Sequence, residues 1–353
     1  MAPLPPAMRA AVYKGPRAVE VEQVHVPGIG PTDVLVRVHR CGVCGTDLHA
    51  VTEGWGRPGT IAGHEWSGTV VAVGDRVEHW SEGDRVVGGP PPGCGTCVYC
   101  RRGRPSLCTE QGTPGTADYF GAFADFVRVD ASQLFAVPAG LDLRTAALAE
   151  PLAVALHAVT QGNVRPGASA MVFGVGPIGA LAIAALRARG HDGRIVVVEP
   201  APTRADHARR LGADDVLQPG DLDVPNMAEP GRIVDGAVDV VLECSGRRAA
   251  MEAGHTQLLP AGTLVLVGAG MEQPTFDPNR ILLNELVVTG SFNYDSDGFD
   301  QALALLASGT LPVDTLLDPN DVGLDGLLDR IEALARGEIA GKVLVDPTIE
   351  EAT

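Results

Sequence analysis

Ala170-Met-Val-Phe-Gly-Val-Gly-Pro-Ile-Gly179 decides how this chain folds. Its first four residues form a short apolar run bounded by glycine, which reads as a fully buried strand. Gly174, Gly176 and Gly179 then follow the GxGxxG spacing. Beyond them Ile178, Leu181, Ala182, Ala185 and Leu186 share one helical face, and Gly190 ends the pattern. A second apolar run, Ile195–Val198, closes on an acid, Glu199. Glycines at this spacing allow a tight turn and let a pyrophosphate approach the helix N-terminus, where unpaired N–H groups await an anion. Glu199 can accept hydrogen bonds from the adenosine ribose hydroxyls. The spacing by itself would mark only a tight turn in a ligand-free α/β domain. Here a strand precedes it and a helix follows, which is the context the dinucleotide reading requires.

Outward from this stretch, Val238–Leu242 and Thr263–Val267 continue the alternation, with helical segments between. Apolar strands separated by helices imply a parallel, doubly wound sheet. The first third of the chain reads differently. Val19, Val21 and Val24, then Val34–Val38, Gly68–Val73 and Asp84–Val87, are short β-branched runs punctuated by Gly and Pro. Towards the C-terminus, Phe299–Ala307 and Leu324–Ala335 look helical, and Lys342–Val345 closes as a strand. No internal repeat or low-complexity tract interrupts the pattern.

A length of 353 residues suggests two domains, at about 150 residues each. The 44 glycines and 27 prolines predict many turns rather than disorder, because apolar runs continue between them. A formal charge of −17 argues against a nucleic-acid or anionic-membrane partner, since both reward Lys and Arg. No apolar run reaches the roughly 18 residues of a membrane span. The opening MAPLPPAMRA lacks the apolar centre of a signal peptide. A cytoplasmic location is therefore expected.

Seven cysteines in a chain without a secretory signal make a poor disulfide framework. Four of them, Cys94, Cys97, Cys100 and Cys108, are spaced x2, x2 and x7. Four thiolates in so short a loop can close tetrahedrally around one zinc and leave no open position, which marks a structural site. The alternative is four free thiols in a Gly/Pro-rich loop, and the tight spacing disfavours it. A second set is dispersed: Cys41-Gly-Val-Cys44-Gly-Thr-Asp-Leu-His49 precedes Gly63-His64-Glu65. A thiolate, an imidazole and a carboxylate are the ligands of a zinc that keeps a position for substrate. Taken alone, Cys41 and Cys44 could equally form a redox pair, although no thioredoxin-like pattern surrounds them.

In this order, the features resemble the zinc-containing branch of the medium-chain dehydrogenase/reductase superfamily. The resemblance spans essentially the whole chain. It rests on C-G-V-C-G-T-D-L-H (41–49), G-H-E-W-S-G (63–68), the four-cysteine loop (94–108), E-P-L-A-V-A-L-H-A (150–158), G-V-G-P-I-G (174–179), E-C-S-G (243–246) and G-K-V-L-V (341–345). It implies an α/β chain in which a Rossmann doubly wound parallel sheet is inserted in a GroES-like, β-rich catalytic domain. The implied division is 1–152 for the catalytic domain with both zinc sites, 153–293 for the dinucleotide-binding domain, and 294–353 for a C-terminal part that completes the first.

Carried over position by position, the resemblance makes Cys44, His64 and Glu65 the catalytic zinc ligands. Thr46 and His49 become a proton relay, with Asp47 orienting its neighbours. Cys41 is left as a small buried hydrophobe. Glu150, before Pro151, matches the acid that sorbitol and threonine dehydrogenases keep near the zinc, where liver-type alcohol dehydrogenases have a cysteine ligand. Glu65 and Glu150 exchange as ligand among such enzymes, so the resemblance leaves open which of them binds. Cofactor contacts are implied at Gly174, Gly176, Ile178, Gly179, Glu199, Arg204, Val267, Gly268, Ala269, Ser291 and Phe292. The implied chemistry is hydride transfer between a secondary alcohol, polyol or amino alcohol and NAD, with NADP the lesser candidate. Zinc polarises the substrate oxygen, and the proton leaves through Thr46 and His49. One departure is Glu199-Pro200, where Asp is commoner, with one extra residue in the turn before that strand. Loops 50–58, 110–122 and 290–298 are expected to shape the pocket, Trp55 and Trp66 to serve packing more than substrate, and His157 to be a core histidine. A homodimer or homotetramer acting on a small alcohol or ketone is the expected assembly.

Two other readings compete. A formaldehyde- or thiol-adduct dehydrogenase of the same superfamily is disfavoured by Glu150-Pro151. A non-catalytic, zinc-binding relic of the fold would have no use for Thr46 and His49. Metal analysis separates enzyme from relic: about two zinc ions per chain are expected of the enzyme, and about one of a relic that keeps only the closed site.

Overall fold

The computed structural model describes residues 4–89, 93–110 and 121–350. Within the expected pocket loops, 111–120 therefore lies outside the described residues. Two sheets organise the described residues, and a separate two-stranded ribbon of Ala7–Gly15 and Ala18–His25 lies near the N-terminus.

The first sheet is parallel throughout. Its strands run in the order Asp215–Leu217, Ile195–Val198, Ala170–Phe173, Val238–Glu243, Leu258–Leu266 and Val287–Gly290. Ala170–Phe173 and Ile195–Val198 are buried along their whole length, as strands covered on both faces must be. Helix Pro177–Ala188 covers one face with Leu181, Ile183 and Leu186, each under 4 % exposed. The strand and helix of the glycine motif thus fall where its spacing predicts. Gly174 holds φ +82°, a left-handed value that favours glycine. At Gly179 a Cβ would stand 2.1 Å from the Gly174 carbonyl oxygen, so any side chain would push the helix off the turn.

The second sheet is antiparallel. Leu344–Val345, Asp33–Gly42, Glu65–Val73, Arg85–Gly88 and Leu134–Ala136 pair in that order, and Phe126–Asp130 also pairs with Asp33–Gly42. The last strand brings the far end of the chain back: Leu344 faces Gly42 and Val345 faces Cys41. Trp66 is 2 % exposed and packs into the core of this sheet with Val36, Val38 and Phe123. Helix Ala149–Gln161 passes from the second sheet to the first, with Pro151 in its opening turn, where a missing N–H costs nothing. No described helix is long and apolar enough to cross a membrane.

A buried ion pair reinforces the return of the tail. Lys342 is 2 % exposed, and its Nζ donates to both Glu65 oxygens, at 2.8 and 2.6 Å, and to the Val43 carbonyl at 3.1 Å. An ammonium has three protons, and all three have acceptors here. Burial works against the charged lysine, yet Glu65 holds its pKa above the usual value. Removing one partner would strand the other charge out of water. Lys342→Met is therefore expected to lower unfolding stability by about 3–5 kcal/mol, and the double change Lys342→Met with Glu65→Leu to recover most of that loss. Urea denaturation of the parent and both variants checks this; a single variant as stable as the parent would contradict it.

Candidate active site

Cys44 sits at the N-terminus of helix Gly45–Thr52, and its backbone N–H is bound by the Asp47 carboxylate at 2.8 Å. Asp47, 4 % exposed, thus closes the first turn and fixes the approach of Cys44. His64 and Glu65 enter from the start of strand Glu65–Val73, across from Gly42. The potential ligand atoms of Cys44, His64 and Glu65 all lie within 4.8 Å of one another. His64 stands beside the Cys44 sulfur. Burial alone would depress the His64 pKa, but Cys44, Asp47 and Glu150 hold it well above the ordinary value. Cys41 is fully buried, and that burial keeps it a thiol.

Glu150 stands in the first turn of helix Ala149–Gln161, where the helix dipole favours an acid. It is 4 % exposed, and burial pushes its pKa up to about 7, with His64 and Lys342 opposing and Glu65 and Asp47 adding to the rise. The carboxyl therefore feels the charges of the Cys44–His64–Glu65 cluster without joining it. From the point where a Cβ would stand on Gly89, the Tyr294 Oη is 2.6 Å away, Glu150 Cγ 3.2 Å and Phe299 Cζ 3.2 Å. Tyr294 packs edge-on against Phe299, which stacks on Phe135. Thr46 lies beside Cys44, with 3.7 Å between its Oγ1 and the sulfur. His49 lies one turn further along the same helix.

Cys94, Cys97, Cys100 and Cys108 form a separate cluster, again with sulfurs within 4.8 Å of one another. Backbone N–H groups turn inward onto the sulfurs, from Cys94 to Cys108 at 3.2 Å, Cys97 to Cys94 at 3.2 Å and Cys100 to Cys97 at 3.4 Å. Donors directed at sulfur favour thiolates. Four thiolates this close repel one another unless a cation sits among them, which fits the closed zinc site. The lobe docks on the segment after the last parallel strand: Arg104 pairs with Asp295 at 2.6 Å, and Gly103 accepts from the Ser296 N–H at 3.4 Å. His157 is buried, its Nδ1 3.6 Å from Asp295.

Every remaining candidate follows the end of a parallel strand, so all lie along one edge of that sheet. Gly174, Gly176, Ile178 and Gly179 follow Phe173, and Glu199 follows Val198. Val267, Gly268 and Ala269 follow Leu266, and Ser291 and Phe292 follow Gly290. Glu199 is 3 % exposed and accepts the N–H of Val175 at 2.7 Å and of Ala201 at 2.9 Å, which pins it against the glycine turn. Arg204, within reach of the Glu199 charge, donates to the carbonyls of Leu334 at 2.7 Å and Ile339 at 3.2 Å. The sequence reading missed Lys342 as a site residue. The signal was a lone lysine in an otherwise apolar closing strand, which demands a buried acid.

With this geometry in view, comparison with known proteins is direct. The Alcohol dehydrogenase GroES-like domain family matches residues 30–139, and the Zinc-binding dehydrogenase family matches residues 177–308. Sorbitol dehydrogenase of Bacillus subtilis is 32% identical over 98% of this chain and 98% of its own. The (R,R)-butanediol dehydrogenase of the same organism is 34% identical over 96% of this chain and 100% of its own. Among solved structures, 2R,3R-butanediol dehydrogenase from Bacillus subtilis superposes with a TM-score of 0.84 at 33% identity, covering 97% of this chain and 100% of that one. A zinc-binding dehydrogenase from Sinorhizobium meliloti 1021, bound to NADP, gives a TM-score of 0.84 at 32% identity, over 97% and 99%. The chain belongs to the zinc-containing medium-chain dehydrogenase/reductase superfamily and is an alcohol or polyol dehydrogenase.

Proposed function

We propose that this enzyme oxidises a secondary hydroxyl flanked by a second hydroxyl, or reduces the matching ketone, with NAD as the hydride carrier. The observation that carries this reading is Glu150. A carboxyl buried beside the Cys44–His64–Glu65 cluster, and pushed up to about 7, can change its protonation near neutral pH. It can therefore accept a hydrogen bond from a neighbouring substrate hydroxyl, with the Tyr294 Oη close by. Relatives named for sorbitol, D-xylulose and butanediol support a polyol-like substrate.

Two zinc ions fit the two clusters, one held by Cys44, His64 and Glu65 and one by the four cysteines. A thiolate, an imidazole and a carboxylate suit a catalytic zinc, and four thiolates suit a structural one. When bound, the catalytic zinc supplies Lewis acidity to the substrate oxygen. Lys342 orients Glu65, and Glu150 rather than Glu65 faces the substrate. Thr46 and His49 carry away the proton. The catalytic part comprises 1–152 and 294–353, with 153–293 inserted to hold the dinucleotide. The pairing of Leu344–Val345 with Asp33–Gly42 favours this division. Strand Val287–Gly290 ends the parallel sheet near exposed Leu282, Leu283 and Val287, an apolar edge suited to a homodimer or a homotetramer built from such dimers.

The NAD preference rests on Glu199 and Arg204. The Glu199 carboxylate is held at the turn, and each of its oxygens keeps a lone pair for a ribose hydroxyl. A 2′-phosphate there would meet like charge in a partly desolvated cleft. Arg204 is committed to two carbonyls and would have to break both bonds to reach a phosphate. A screen of polyols, vicinal diols and simple secondary alcohols with both cofactors tests the reading. Vicinal diols are expected to show the higher kcat/KM, NAD to exceed NADP by about tenfold or more, and Glu199→Ser to narrow that gap mainly by improving NADP. Cys44→Ser should abolish turnover while NADH binding, read by fluorescence, persists. Wild-type preference for NADP would overturn the role given to Glu199.

A further inference from the structure

Helix Gly45–Thr52 does not simply end; it folds back on one of its own side chains. The backbone N–H groups of Glu53 and Trp55 both donate to the His49 carbonyl, at 3.0 and 3.5 Å. Between them Gly54 takes φ +77°, the left-handed residue that terminates a helix in this way. The turn brings two side chains onto the His49 ring. Glu53 Oε1 lies 3.0 Å from His49 Nδ1. The Trp55 indole stacks on the imidazole, with ring centroids 4.5 Å apart and planes 15° from parallel. Trp55 is 43% exposed, so it is no core residue, and its main ring contact is this histidine.

We propose that Glu53 and Trp55 are positioning residues for His49. Glu53 holds the proton on Nδ1, which makes Nε2 the nitrogen that accepts a proton from the alcohol. Trp55 fixes the plane of the ring. The inference rests on the reading of Thr46 and His49 as the proton route. In the oxidising direction the hydride goes to the nicotinamide, so this route carries a proton alone. An O–H bond breaks on the Thr46 side and an N–H bond forms at Nε2. Nδ1 keeps its bond to Glu53 throughout, and the Nε2 proton then passes to water, restoring the neutral ring. A carboxylate on the far nitrogen sets the tautomer and favours the charged form of a histidine.

Two of the acids near the helix, Asp47 and Glu332, are already engaged. Asp47 binds the Cys44 N–H. Helix Leu327–Ala335, which packs against this one, carries Asp329, Arg330 and Glu332, and Glu332 pairs with Arg17 at 3.1 Å and Arg336 at 3.7 Å. Arg17 itself donates its backbone N–H to the Val51 carbonyl. Among the described residues, the ion pair of His49 is with Glu53.

The test is the pH dependence of kcat for alcohol oxidation in wild type, Glu53→Gln, His49→Gln and the double variant. Glutamine keeps an acceptor for Nδ1 and removes the charge. Glu53→Gln is expected to lower the plateau of kcat several-fold, because a neutral amide holds the Nδ1–H tautomer less firmly than the carboxylate at 3.0 Å. Trp55→Ala should lower kcat with the rising limb of the profile unmoved, and Trp55→Phe should restore it. In the His49→Gln background, Glu53→Gln should do nothing more, and added imidazole should recover rate in both. A plateau unchanged in Glu53→Gln, or a loss that is as large without His49, would overturn the proposal while leaving the proton route intact. A pH profile unchanged by His49→Gln would instead remove the route itself, and the proposal with it.

Discussion

Two charges out of water join the ends of this chain. Lys342 belongs to the returning tail and Glu65 to the strand that opens beneath the active site, yet their atoms meet at 2.6 Å. Each ion alone would cost several kcal/mol to bury. Together with the Val43 carbonyl they satisfy one another, and the register of the last strand against Asp33–Gly42 goes with them. A slip of one residue there would turn Lys342 away and leave a bare carboxylate in the core. The placement of Glu65, and through it of His64 next to it, depends on a residue from the other end of the sequence.

The site built on this pair has an imbalance of charge. Cys44, Glu65, Glu150 and Asp47 can all be acidic, and Lys342 and His64 oppose them. Burial and mutual repulsion drive the Glu150 pKa up to about 7 and lift that of Asp47. A divalent cation among Cys44, His64 and Glu65 is the species such a donor set is suited to hold. The same cation would draw the Glu150 carboxyl towards its charged form, so Glu150 is placed to respond to whatever stands between it and the cluster.

The rim of candidate cofactor residues arises from a different constraint. In a parallel sheet every strand ends on the same edge, so the glycine turn, Glu199, Val267–Ala269 and Ser291–Phe292 share one rim without any contact among their sequences. The four-cysteine lobe reaches that rim through Arg104 and Asp295, next to Tyr294 and so to Glu150. A lobe with little core of its own thereby steadies the segment that lies between cofactor edge and catalytic cluster.

By itself the sequence determined what local spacing can determine. The glycine turn with its strand and helix, the four-cysteine loop and the apolar parallel strands are each set by residues within a few positions of one another, and each was legible. So was the tail strand, from the apolar run Val343–Val345 that follows Lys342. Tertiary structure decided what depends on distance in space. Lys342 was legible only as a strand residue, because its acid lies far away in the chain. Trp55 and Trp66 have the same composition signal, and only the fold sends one into the core and the other onto His49. Arg204 donates to the carbonyls of Leu334, in helix Leu327–Ala335, and of Ile339 beyond it, acceptors too distant along the chain to be read from spacing. The choice between Glu65 and Glu150 could not be read from spacing, because the two carboxylates differ only in what surrounds them. One is neutralised by an ammonium, and the other is buried with no ammonium bonded to it.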